Sequence, residues 1–137
     1  MKVILITIFI LFFGCRPNLP HFDEKHAFEY LLKQCDFGPR NPGSEGYYAC
    51  LKFMVSELSQ YADEVILQDF SYTERKFGNR YDLQNVIARF NSEAQFQTMI
   101  SCHWDTRPWS DHEEKREDRF QPIIGANDGA SGVAVLL

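Results

Sequence analysis

Positive charge is scarce in this chain. Its 14 Lys and Arg face 19 Asp and Glu, a formal net charge of −5, so it lacks the basic surface that a nucleic acid requires. Long apolar runs are also missing. The stretch from Val3 to Phe13, interrupted by Thr7, is too short to cross a bilayer as a helix. Internal repeats and low-complexity tracts are absent too, so no solenoid or repetitive linker enters the reading. Apolar and aromatic residues, in contrast, are plentiful. Their shares of 45% and 15% exclude disorder and imply a packed core.

Lys2 followed by Val3–Phe13 fits a secretory signal rather than part of the fold. Phe12-Phe13-Gly14-Cys15 resembles a bacterial lipoprotein processing site, with Cys15 becoming the lipidated new N-terminus. The alternative is an ordinary secretory signal in which Cys15 is incidental. Residues 1–15 are therefore set aside, 16–21 form a tether stiffened by Pro17 and Pro20, and 22–137 make up the folded part. The expected location is the bacterial cell envelope after export, with membrane contact only through a lipid anchor. Export places Cys35, Cys50 and Cys102 in an oxidising compartment. Cys35 and Cys50 either bridge across the intervening loop or serve as small buried apolar residues, and the sequence leaves both open.

Phe22 to Cys35 reads as a helix with Asp23 as N-cap and Ala27, Tyr30, Leu31 and Cys35 on one face. Phe37 to Gly46 is a Gly/Pro-rich loop. Ser44 then caps a second helix, along which Tyr47, Cys50, Leu51, Met54 and Leu58 recur at helical spacing. Glu64–Tyr72, Asp82–Phe90 and Gln97–Cys102 read as strands, and Ala130–Leu137 as a helix. Helices, strands and a further helix in this order imply an α/β fold. Asp111 to Arg119 is a charged loop whose expected role is solvated surface.

Chemistry concentrates in two segments. Ile100-Ser101-Cys102-His103-Trp104-Asp105-Thr106-Arg107-Pro108 is a strand that ends on a histidine and an aspartate. Gly125-Ala126-Asn127-Asp128-Gly129-Ala130-Ser131-Gly132 is a tight turn that delivers Asp128 to a helix start. Strand C-termini and helix N-termini share one edge of an open α/β sheet, where such folds place their sites. An imidazole and a carboxylate sent there together form a donor set that zinc accepts. The plainer alternatives are Asp128 as a helix N-cap and His103 as a hydrogen-bonded strand-end histidine.

The same residues carry a family resemblance. His103-Trp104-Asp105-Thr106-Arg107-Pro108 and Gly125 to Leu137 resemble the zinc aminopeptidase and glutaminyl cyclase family of metallopeptidases. Phe37-Gly38-Pro39-Arg40-Asn41-Pro42-Gly43-Ser44 resembles its opening loop, and Gln84-Asn85-Val86-Ile87-Ala88 its first core strand. The match runs from about Phe22 to the last residue. It implies a mixed, mostly parallel sheet flanked by helices. Because the family's catalytic domain is longer and Leu137 falls inside an apolar helix, the chain is expected to be an N-terminal portion, incomplete at its C-terminus and inactive alone.

The resemblance also implies roles. Asp128 becomes a zinc ligand. The histidine matching His103 binds one of two zinc ions in the aminopeptidase branch and is not a ligand in the one-zinc animal cyclases; His103 is carried as a second ligand, and Asp105 orients it through its other ring nitrogen in preference to binding the metal itself. From the residues themselves, Trp104 reads as a packing or pocket-wall aromatic and Arg107 as a substrate-pocket candidate beside it; the resemblance places the general acid/base glutamate beyond residue 137. In animal cyclases the cysteine matching Cys102 is bridged to one just after the metal-binding aspartate. Val133 stands at that partner position, so Cys102 is expected to be a buried thiol.

The aminopeptidase branch hydrolyses N-terminal peptide bonds. The cyclase branch lets the α-amine of an N-terminal glutamine attack its own side-chain amide, releasing ammonia. The His-Trp-Asp-Thr-Arg-Pro run resembles the cyclase branch more, so the reading adopted is a glutaminyl-peptide cyclotransferase acting on peptide N-termini. A zinc aminopeptidase is the alternative, followed by a catalytically silent binding protein or gene relic.

Overall fold

Two capped helices open the fold, and each begins on a side chain chosen for the purpose. The computed structural model describes residues 19–75 and 78–137. The signal-peptide and Cys15 lipidation expectations lie outside these residues. Helix α1 spans Glu24–Asp36, and the Asp23 carboxylate accepts a hydrogen bond from the His26 amide. Helix α2 spans Glu45–Leu58, with Ser44 Oγ accepting from the Tyr47 amide. Both caps satisfy amide donors that the first helical turn leaves unpaired.

The buried face of α2 is Tyr47, Cys50, Leu51 and Met54, as the spacing implies. That of α1 is Tyr30 and Gln34. Gln34 is polar yet fully buried, because its amide bonds the carbonyls of Tyr30 and Ala130. Tyr30 links the two helices by donating to Glu57, and burial raises its phenol to a pKa of about 12.

Strands β1 (Glu64–Thr73) and β2 (Arg80–Arg89) form an antiparallel pair, in register from Glu64 opposite Arg89 to Thr73 opposite Arg80. Val86 on β2 packs against the core of Tyr47, Cys50, Leu51, Met54, Trp104 and Val133. A 3₁₀ turn (Asp118–Phe120) closes the charged loop, which is exposed throughout. A wide turn (Ala126–Ala130) then leads into helix α3, Ser131–Leu136. No helix among the described residues is long and apolar enough to cross a membrane.

Two expectations need correction. Gln97–Cys102 joins no sheet: among the described residues the sheet is β1 and β2 alone. An extended segment becomes a strand only when a neighbour pairs its amides and carbonyls. Without such a neighbour Met99 and Ile100 stay exposed. Cys102 is exposed for the same reason, not buried. Cys35 and Cys50 are both free thiols, so the open question resolves against a bridge. Cys50 is fully buried, and desolvation pushes its thiol to a pKa of about 11.

The start of α2 is tightly fitted to the loop before it. A Cβ placed on Gly46 would lie 2.4 Å from the Pro39 carbonyl oxygen and 2.6 Å from that of Phe37. Both obstacles are backbone and cannot rotate away. Gly46→Ala should therefore destabilise the protein by about 1–3 kcal/mol, although alanine is the better helix former. Urea denaturation checks this, and an unchanged midpoint would show that the loop yields easily.

Candidate metal centre

Alternation along the segment after Cys102 builds the first half of the site. Trp104 and Thr106 are buried, while His103 is exposed and Asp105 half-exposed. In extended backbone successive side chains face opposite sides, so anchoring Trp104 and Thr106 inward turns His103 and Asp105 outward. Trp104 stacks on Tyr47 with ring centroids 4.2 Å apart, and its indole N–H donates to the Gln84 carbonyl at 3.2 Å. Of the two readings open for Trp104, packing or pocket wall, the ring packs as a core anchor.

Glycines at two positions build the second half. Gly125 lies in the left-handed region (φ 61°, ψ 47°), and the Ala130 amide returns to its carbonyl. Gly129 has φ 107°, which a larger residue adopts only with strain. Asp128 sits between them in a non-helical conformation (φ −97°, ψ 92°). Its carboxylate caps no helix, since α3 has Ala130 as N-cap and no side-chain cap bond. That removes the N-cap alternative for Asp128.

The two halves meet. His103 Nε2 lies 2.9 Å from Asp128 Oδ1, and Nδ1 lies 3.2 Å from the Asp105 backbone carbonyl. A Cβ on Gly129 would come within 3.2 Å of His103 Cε1, so the imidazole rests where glycine leaves room. The partner of Nδ1 differs from expectation: the Asp105 carboxylate is 3.7 Å away, and its carbonyl takes the bond instead. A carbonyl only accepts, so Nδ1 carries a proton and donates it. Nε2 then faces the Asp128 carboxylate, and a contact this close needs a cation shared between them, a proton or a metal.

The side chains are 55% and 69% exposed, so as an ion pair they would add little stability. As donors to zinc they fit. Imidazole and carboxylate donors around tetrahedral zinc stand about 3.4 Å apart, a small opening from the observed contact. They make two ligands of the about three that a catalytic zinc commonly takes from protein. No group of three potential ligands occurs among the described residues. Arg107 pairs with Asp111 at the surface.

Sequence reading missed Arg40. Its side chain is fully buried and donates to four carbonyls: Nε to Trp104 (3.0 Å), Nη1 to Gln34 (3.3 Å) and Ile124 (2.9 Å), and Nη2 to Gly125 (2.9 Å). Its amide donates to Thr106 Oγ1 at 2.9 Å, and its carbonyl accepts from the Thr106 amide. The available signal was a lone arginine inside a Gly/Pro loop between two helices.

This architecture has counterparts. Residues 85–137 match Peptidase family M28. A glutaminyl cyclase from Tannerella forsythia is 33% identical with a TM-score of 0.82, over 85% of this chain and 40% of that one. A Zn-dependent exopeptidase from Parabacteroides distasonis is 34% identical with a TM-score of 0.81, over 85% and 40%. A curated relative, pyruvate synthase subunit PorA from Pyrococcus abyssi, is 29% identical over 104 residues, 72% of this chain and 25% of that protein. That likeness takes in a quarter of the relative and supplies no argument for function. The chain spans about 40% of the length of the solved structures it matches. Its α/β fold is similar to that of this cyclase and this exopeptidase.

Proposed function

We propose that the complete protein is a zinc-dependent glutaminyl-peptide cyclotransferase, with Asp128 and His103 among its metal ligands. The observation that carries the reading is the His103–Asp128 pair, 2.9 Å apart across a glycine-flanked turn. The likenesses to a glutaminyl cyclase at 33% and to a Zn-dependent exopeptidase at 34% support the two reactions equally, and the cyclase is chosen on the His103-Trp104-Asp105-Thr106-Arg107-Pro108 run. Bound zinc would supply Lewis-acid polarisation of a carbonyl.

The chain's own contribution is placement. The Asp105 carbonyl holds the Nδ1 proton of His103 and so fixes the tautomer with Nε2 available. Gly129 lets the ring lie against the turn, so a small opening of the 2.9 Å contact is all that presenting both donors requires. In the reaction, the substrate's α-nitrogen forms a bond to its own side-chain amide carbon, and the bond from that carbon to the departing nitrogen breaks as ammonia leaves. Both reacting groups belong to one residue, so holding them in a folded-back conformation removes most of the entropic barrier. The substrates would be peptide N-termini, met in the cell envelope after export, and the acidic balance of the chain suits their ammonium groups.

The likeness to a Zn-dependent exopeptidase keeps aminopeptidase activity as the second reading. Parallel assays of the complete protein with an N-terminal glutaminyl peptide and a leucine anilide separate the two. The proposal expects ammonia and a pyroglutamyl product, with little anilide cleavage. Anilide cleavage without ammonia from the glutaminyl peptide would make the exopeptidase reading correct.

A further inference from the structure

We infer that Arg40 is the positioning residue that sets the distance between His103 and Asp128. The inference rests on the reading above, in which that pair holds zinc. The two donors belong to segments 25 residues apart, and no regular element joins them. Arg40 does. One edge of its guanidinium bonds the carbonyl of Trp104, the residue next to His103, and the other bonds the carbonyls of Ile124 and Gly125, where the Asp128 turn begins.

A third contact, to Gln34, ties the group to α1, and Gln34 in turn bonds the Ala130 carbonyl at the far end of the same turn. The reciprocal bonds between Arg40 and Thr106 fix the His103 segment a second time. A planar group with donors at fixed angles determines the relative placement of these carbonyls. Among the described residues the arginine has no carboxylate partner: every bond of its side chain goes to a backbone carbonyl. A full charge buried against dipoles alone is costly to place. Its location between the two donor segments accounts for its presence better than packing does.

Lysine keeps the charge but cannot span both segments. In the complete protein, Arg40→Lys and Arg40→Met should weaken zinc binding about 10- to 100-fold, the usual effect of losing support behind a metal ligand. The readout is zinc competition with a chromogenic chelator, on protein shown to be folded. Tyr30→Phe, which removes only the hydroxyl that donates to Glu57 between α1 and α2, controls for general destabilisation; its melting point should fall while its zinc affinity stays within about twofold. A second readout needs no metal. The ring-nitrogen shifts of His103 should report the Asp128 contact in the wild-type protein and lose that signature in both Arg40 variants. If neither variant folds, Thr106→Val, which removes one acceptor of the same network, should show both effects in smaller degree.

Unchanged zinc affinity and unchanged His103 shifts in folded variants would overturn the inference and leave Arg40 a structural residue. Absence of zinc binding by the wild-type protein would instead overturn the functional reading, and the metal-free shifts would still decide the role of Arg40.

Discussion

Trp104→Ala should cost about 3–5 kcal/mol, the range for removing a large aromatic side chain from a packed core. That is a large part of the roughly 5–15 kcal/mol by which a whole domain is stable. The indole is 9% exposed, stacks on Tyr47 and shares a core with Cys50, Leu51, Met54 and Val133. It joins the His103 segment to α2 and, through its N–H, to β2. Truncation opens a cavity and strands the Gln84 carbonyl. Trp104→Phe keeps most of the packing and should cost about 1 kcal/mol beyond the lost ring volume, the net worth of one hydrogen bond. Equilibrium denaturation of both variants in the complete protein measures the difference. A Trp104→Ala protein as stable as wild type would mean the indole is not a core anchor, and would favour its pocket-wall reading.

What the sequence made legible was local. Asp23 and Ser44 announce their helices because capping depends on residues three positions apart. The α2 face and the two paired strands follow from spacing and alternation, to within a few residues. Non-local facts were not legible. Whether Gln97–Cys102 forms a strand depends on a neighbour, which periodicity does not encode. Gln34 was passed over because its burial is offset by a carbonyl 96 positions away. Arg40 was passed over because its acceptors lie up to 85 positions along the chain. In the site, the pairing of His103 with Asp128 was readable from the two motifs. The exchange of the Asp105 carboxylate for its carbonyl was not, because it depends on how the backbone turns after the histidine.

The central claim is that the His103–Asp128 edge binds zinc. Asp128→Ala removes a carboxylate that caps nothing and makes no hydrogen bond except with His103, so the fold should tolerate it while the metal site should not. A carboxylate ligand has no substitute in an alanine, and about three protein ligands is already the minimum for a catalytic zinc. The most direct measurement is zinc per folded chain, by elemental analysis of the complete protein after removal of loosely bound metal, in wild-type and Asp128→Ala forms side by side. The account predicts stoichiometric zinc in the wild-type protein and background zinc in the variant. Full stoichiometry in both would contradict it.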